Sequence, residues 1–487
     1  MRLNAEHRPA VTGLFSGGRV FPSLILIMAL LLIGAAGCGG DSGTADQTAP
    51  AKVHAAAGID QVATRQKLVQ RLFIFGIDGA TWHFLDPLIK AGKLPTIARL
   101  VRDGVRANLQ TLEPTVSPAI WTTIATGVLP QSHGILGFDG VPGVSMTTLP
   151  NSRMRRVKAY WNILGDFDRT SATVGWWASW PADQVGEGSC MVSDRVPYTR
   201  MEAAIKRDSL GPEDVYPAGL LELVAAQVER PEMIDPAAVE RFLHFNDEEM
   251  DHYLLKAEYR MGSFLPEFAY VYQSDRSTLK ISREILADRP FDVTAAYFTG
   301  VDTVSHLYWH FTFPDEFPRQ RIDPREIERF GQVIPCYYEL LDEYLASLLD
   351  VLGPNTTVVI LSDHGFGGTG NLPWSGGHGR ITPGAPIAPA GVLILSGPGI
   401  RSDGHFLAQA HVLDVAPTIL HLMGIPAASD MPGRVLTQAM APGSPAELPR
   451  VASHETIGTP WNPGEIPVDP AGDIERLERL KRLGYIQ

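Results

Sequence analysis

Apolar residues recur along the chain in two rhythms. Short unbroken runs, R-L-F-I-F-G-I-D-G at 71–79, D-V-T-A-A-Y-F-T-G-V-D at 292–302 and T-V-V-I-L-S-D-H-G at 357–365, are rich in β-branched and aromatic residues and stop at glycine or acid. Runs of that length and composition predict buried strands. Between them the spacing lengthens: Ile327, Phe330, Ile334, Tyr337, Leu340 and Leu341 recur at helical intervals over 325–350, before a Gly353-Pro354 stop, which predicts one helix. Further helices are expected over 217–228 and over 235–245, the latter opened by Asp235 as cap and Pro236 in the first turn. Strands alternating with helices predict an α/β fold with a mostly parallel central sheet covered by helices on both faces. Such sheets bind ligands beyond the carboxyl ends of their strands.

Each of the three runs delivers an acid to that edge: Asp78, Asp302 and Asp363. The third also delivers His364, and neighbours in a regular strand face opposite ways. Both can address one ligand only where the backbone leaves strand geometry, which Gly365, Gly367 and Gly368 permit. His306 follows Asp302 by four residues, a spacing that puts both on one face of a helical turn, and His378 stands between glycines in S-G-G-H-G-R. Carboxylates together with neutral imidazoles suit zinc, and a pair of sites would use three Asp and three His. Taken singly, a strand-end Asp serves as a helix cap and a histidine packs; the conjunction at one sheet edge points to metal.

Ser117 in P-T-V-S-P-A-I-W-T-T-I-A-T-G (114–127) is expected as an N-cap, with Pro118 at the first helical position and Gly127 just past the last turn. Capping alone accounts for the serine. The same place also sets its hydroxyl at the positive end of a helix, where an alkoxide and a phosphate oxygen are both favoured, so Ser117 is the candidate nucleophile.

Composition narrows the field. With 487 residues, 45% of them hydrophobic, a large core is available, and length alone suggests about three domains or one domain with insertions. A net charge of -13 without any basic run argues against a nucleic-acid partner, and a phosphate-handling site would need its positive charge from elsewhere. Cysteines at 38, 190 and 336 are too few for a disulfide framework; Cys190 and Cys336 are expected as buried thiols, with a single disulfide as the alternative.

Arg2, Arg8 and Arg19 precede an uncharged 18-residue run that ends in small residues before Cys38, the pattern of a secretion signal. Its A-A-G-C end resembles a bacterial lipobox, with Ala35 where leucine is usual. The expectation is a signal peptide over 1–37, a flexible tether over 38–66, a catalytic domain over 67–440 carrying an inserted, mainly helical cap at about 140–290, and an extension over 441–487 with a short amphipathic helix after Asp473. The protein would be exported and held at the cell envelope through a lipidated Cys38 or an uncleaved N-terminal anchor.

I-D-G at 77–79, P-T-V-S at 114–117, T-G-V-L-P-Q-S-H-G-I at 126–135, V-D-T-V-S-H at 301–306, S-D-H-G at 362–365 and G-H-G at 377–379 resemble, in order, the type I phosphodiesterase/nucleotide pyrophosphatase family of the alkaline phosphatase superfamily. The tail, L-D-V-A-P-T-I-L-H-L-M-G-I-P at 413–426 and M-P-G-R-V-L at 431–436, resembles the closing segment of that superfamily's hydrolases. The resemblance implies two divalent ions, Zn2+ by preference, one held by Asp78, Ser117, Asp363 and His364 and the other by Asp302, His306 and His378. It implies in-line attack by Ser117 on a small-molecule phosphoester, a phosphoserine, and its hydrolysis.

Two positions depart from the family pattern. Serine replaces the usual threonine nucleophile, an equivalent hydroxyl, but Ile120 replaces an asparagine that helps hold the phosphoryl oxygen. Trp121, Thr122 and Thr123 are the nearest candidates to replace that donor, with helix packing as their other role. A sulfatase would need Pro two residues after its nucleophile followed by Arg, and S-P-A-I-W lacks both. The readings that stay open are a phosphomonoesterase, a phospho-headgroup transferase resolving the phosphoserine with an alcohol, and a lipid-anchored binding protein with structural metals. Three tryptophans in V-G-W-W-A-S-W-P (174–181) are expected in the core or as a wall of the leaving-group pocket, and His310, His405, His411 and His421 as structural residues.

Overall fold

Nine strands form the central sheet of the computed structural model, which describes residues 58–59, 62–138, 148–198, 210–229, 234–244, 264–317, 321–368, 376–377, 389–466, 477 and 481. They are β1 (Arg71–Ile77), β2 (Gly104–Gln110), β3 (Ser171–Val174), β4 (Cys190–Val192), β5 (Val215–Tyr216), β6 (Val293–Phe298), β7 (Thr356–Leu361), β10 (Gly391–Ser396) and β11 (His405–His411). Two short strands, β8 (Gly367–Gly368) and β9 (Gly376–Gly377), pair separately. The order across the sheet is β11-β2-β10-β7-β1-β6-β3-β4-β5. From β7 through β1, β6 and β3 to β4 all neighbours run parallel, while β10 is antiparallel to both β7 and β2, and β5 to β4.

β1 sits between β6 and β7, paired along its length with both, and its alternation shows why its sequence is apolar on two sides. Phe73, Phe75 and Ile77 face one core, which includes the Val333–Leu352 helix, and Leu72 and Ile74 face the other, with Trp121 and Trp161. A parallel strand buried on both faces reads as a continuous apolar run, as found.

Four expectations are corrected. The helix expected over 325–350 is two, Pro324–Phe330 and Val333–Leu352. Pro335 cannot continue a helix through Gly331, because its ring meets the carbonyl four residues back. Part of the stretch expected as a cap, 140–290, is sheet: β3, β4 and β5 extend the central sheet, in runs of four residues or fewer that periodicity does not register. The end of the expected tether lies along the body, with Arg65 N–H donating to Gly424 O at 3.0 Å. Cys190 is a buried free thiol, whereas Cys336 is free but only half-buried on its helix.

In the C-terminal extension Arg450 donates to the carbonyls of Ala428, Met431 and Gly433, and buried Lys158 holds the carbonyl of His454 while pairing with Asp166 at 2.7 Å. The signal segment, Cys38 and most of the helix expected after Asp473 lie outside the described residues; Leu477 within it is helical and buried. No helix among the described residues is long and apolar enough to cross a membrane.

Candidate active site

Asp78 leaves the end of β1, Asp363 and His364 follow β7, and Ser117 is the first residue of the Ser117–Thr126 helix. Asp302 is placed differently from expectation. β6 ends at Phe298, and Asp302 rides the first turn of the Gly300–Thr312 helix with His306 one turn on. Asp78, Ser117, Asp302, His306, Asp363 and His364 are all buried. His378 lies outside the described residues.

Ser117 is not the cap of its helix. Val116 takes that position, and the Ser117 hydroxyl instead lies 3.5 Å from Asp78 Oδ1 and 3.3 Å from His364 Nε2. Gly127 closes the helix in the left-handed conformation (φ 71°), as a C-terminal glycine should.

His364 is oriented by the backbone. Its Nδ1 lies 3.0 Å from Gly365 O, an atom that only accepts, so Nδ1 carries a proton there and Nε2 faces inward. Around Nε2 stand Asp78 Oδ1 at 3.3 Å, Asp363 Oδ2 at 3.4 Å, Asp302 Oδ1 at 4.0 Å and the Ser117 hydroxyl at 3.3 Å. Donor atoms of Asp78, Asp302 and His364 lie within 4.8 Å of one another. His306 Nε2 is 3.6 Å from Asp302 Oδ2, and its ring stands edge-on against Phe366 at 4.9 Å.

The electrostatics fit a cation. Burial raises the Asp78 carboxyl, but His364 and Tyr297 outweigh it and hold the group below its ordinary value. Burial, then the Asp78 charge, pushes Asp302 well up; burial, then the charges of Asp78 and Asp302, does the same to Asp363. Three carboxylates this close cannot all ionise without positive charge among them. Asp363 Oδ2 is buried and accepts no hydrogen bond from any described donor. A converging set of carboxylate oxygens, imidazole nitrogen and hydroxyl is a donor set that divalent zinc accepts.

Two glycines permit this crowding. A Cβ on Gly79, whose φ is +68°, would stand 2.8 Å from Asp302 Cβ, so the residue after Asp78 must lack a side chain. A Cβ on Gly300 would stand 2.0 Å from the Tyr337 ring. The Gly300–Thr312 helix is capped from outside: Asp275, on the Phe264–Asp288 helix, accepts from Thr299 N–H at 3.2 Å, Gly300 N–H at 3.0 Å and Tyr337 O–H at 2.9 Å. Burial raises the Asp275 carboxyl to about 7.

Of the residues weighed as donors in place of the missing asparagine, none is free for it. Trp121 donates to Asp78 Oδ2 at 3.2 Å, Thr122 to Pro118 O at 2.7 Å, and Thr123 shares a 3.0 Å bond with His133; Ile120 is buried in the core. Trp176 is fully buried and donates to Trp121 O, and Trp180 stacks under Arg195 at 3.4 Å; half-buried Trp177 reaches Tyr297. Sequence reasoning missed Tyr297 and Asp275. Tyr297 sits opposite Gly76 in the β1–β6 register, a signal available only once that pairing is known, and Asp275 carries none.

The sequence profile of the type I phosphodiesterase/nucleotide pyrophosphatase family matches residues 72–372. No curated protein sequence is a significant match. Among solved structures, a 2-O GAG sulfatase is similar at 14% identity and TM-score 0.47, with 76% of this chain and 74% of that one covered. The alkaline phosphatase PafA, as a mutant, is similar at 14% and 0.46, over 78% and 100%. Murine ectonucleotide pyrophosphatase/phosphodiesterase 5, in an inactive form with AMP, is similar at 13% and 0.43, over 77% and 98%. A family match over more than half of the chain, on the segment that carries Asp78, Ser117, Asp302, His306, Asp363 and His364, settles the affiliation: this protein belongs to the type I phosphodiesterase/nucleotide pyrophosphatase family of phosphoester hydrolases.

Proposed function

We propose that this protein hydrolyses small-molecule phosphodiesters through a phosphoserine on Ser117, with two divalent ions, zinc by preference, as its cofactors. The observation that carries the reading is the Ser117 hydroxyl: it starts a ten-residue helix, is buried, and faces Asp78 and His364 at hydrogen-bond range instead of capping its own helix. Asp78, Asp363 and His364 with Ser117 would hold one ion, and Asp302 and His306 with His378 the other. Bound ions supply positive charge to the phosphoryl oxygens and favour ionised Ser117.

Ser117 Oγ forms a bond to phosphorus as the bond to the leaving oxygen breaks in line with it. The leaving group departs with the electron pair, and the serine is left phosphorylated. A water oxygen then bonds to phosphorus as the Oγ–P bond breaks, and a proton returns to Oγ. The positive end of the Ser117–Thr126 helix favours the phosphoryl charge in both steps. With residues 1–37 read as a secretion signal, the enzyme would act outside the cytoplasm, held at the envelope through a lipidated Cys38 or an uncleaved N-terminal anchor.

The test uses the full chain with an aryl phosphodiester. Chelation should abolish turnover and zinc should restore it, acid quenching should trap phosphate on Ser117, and Ser117→Ala should lose at least about 1,000-fold in rate while retaining zinc. Near-normal turnover by Ser117→Ala would overturn the reading.

A further inference from the structure

Asp78 has two oxygens with separate surroundings. Oδ1 faces Ser117 and His364. Oδ2 faces away and accepts two hydrogen bonds, from Trp121 Nε1 at 3.2 Å and from the Tyr297 hydroxyl. The direction of the second bond is fixed by a third residue. Trp177 Nε1 can only donate, and it donates to Tyr297 Oη at 2.6 Å, so the tyrosine's own proton points to Asp78. The run Trp177 N–H to Tyr297 O–H to Asp78 Oδ2 is therefore one-directional.

Gly76 makes room for the other donor. It lies two residues before Asp78 on the same face of β1, and a Cβ there would stand 2.9 Å from the Trp121 ring. The indole lies across the strand at the one place without a side chain, which brings its N–H to Oδ2. Trp121 and Tyr297 also brace each other, ring centroids 4.8 Å apart and edge-on.

We propose that Tyr297 and Trp121 are positioning residues, which occupy Asp78 Oδ2 so that Oδ1 alone is presented to the metal and to Ser117, with Trp177 setting the polarity of the tyrosine bond. This rests on the reading of Asp78 as a metal ligand. With both donors in place the carboxylate is held in one orientation; without one, it can rotate and offer Oδ2 as well. Partners of this kind beyond a ligand typically change metal affinity or activity about 10- to 100-fold when removed.

The experiment measures zinc affinity of the full chain by competition with a chromophoric chelator, together with the visible spectrum of the cobalt-loaded protein and the thermal midpoint. Tyr297→Phe keeps the ring and loses the hydroxyl; it should weaken zinc binding about 10- to 100-fold and change the cobalt bands. Trp121→Phe should act in the same direction, and Trp177→Phe, which leaves both donors to Asp78, should act less. A Tyr297→Phe protein with zinc affinity and cobalt spectrum within twofold of wild type overturns the proposal, whatever its thermal midpoint, since a packing role would move the midpoint alone. If wild type binds zinc and Asp78→Asn binds it equally well, the ligand reading fails and the proposal fails with it; if Asp78→Asn loses zinc while Tyr297→Phe does not, only the positioning role is lost.

Discussion

Gly300→Ala is the most exacting single-atom perturbation of the site that does not touch a ligand. The added Cβ would stand 2.0 Å from Tyr337 Cε1 and 2.2 Å from its Cζ and Oη. Carbon atoms rest about 3.5–4.0 Å apart, so more than an ångström must be found. Tyr337 has little freedom to yield: it is fully buried, and its hydroxyl donates to Asp275. The helix start must move instead, and it carries Asp302 two residues further on. A displacement of about 1 Å in a reacting constellation can cost roughly 100-fold in rate. Overpacking of this kind costs about 1–3 kcal/mol, partly offset by the better helix propensity of alanine, so the stability loss should be small for a chain of this size. We expect kcat/KM on an aryl diester to fall about 100-fold while the thermal midpoint falls by a few degrees at most. An alanine variant within threefold of wild-type kcat/KM would refute the argument that the Gly300–Tyr337 contact sets the position of Asp302.

Other consequences can be measured independently. Asp275 has a folded-state value of about 7 against an ordinary 3.8, so between those pH values the folded protein holds a proton that the unfolded chain has lost; metal-free wild type should lose stability relative to Asp275→Asn as pH rises from 4 to 7, by on the order of 4 kcal/mol, and then level off. Parallel denaturant titrations in that window giving equal slopes would sink this. Arg155 pairs with Asp183 at 2.5 Å, both buried, and Trp161 donates to the same carboxylate; Arg155→Ala should cost about 3–5 kcal/mol by denaturant unfolding, because it strands a buried charge. Among a bis-aryl phosphate, an aryl nucleotide monophosphate and an aryl phosphate, the bis-aryl diester should show the highest kcat/KM, since Ile120 supplies no phosphoryl donor for the nucleotide and the Ser117 motif carries no arginine for the monoester; a clear preference for the monoester would reverse the assignment.

What was legible in the sequence follows from how local each signal is. The β1, β6 and β7 runs could be read directly because a parallel strand buried on both faces is uniformly apolar, and the acids at their ends could be read as converging because parallel strands share a carboxyl edge. β3, β4 and β5 could not, since two to four residues leave no period to detect. The break at Gly331 was hidden because the apolar spacing runs through it; Pro335 was the available sign. Asp302 was read at the close of a strand although its own i,i+4 relation to His306 already required a helix. The donors to Asp78 were beyond reach for another reason. Tyr297 is 219 residues away and Trp121 is 43, and both look like ordinary core aromatics until the register is known.

The middle position of β1 also imposes an order in time. Its two neighbours in the sheet, β6 and β7, begin more than 200 residues after it ends. At the usual pace of synthesis, about 5–20 residues per second, β7 follows β1 by roughly 15 to 60 seconds. Until β6 is made, β1 has neither of its partners and Asp78 has neither Tyr297 nor His364; from β6 to β7 it still lacks one partner and His364. The last of the described candidate ligands to be made, Asp363 and His364, come just after β7, the strand that completes the pairing of β1, so the geometry that would hold an ion becomes available only once that strand is made.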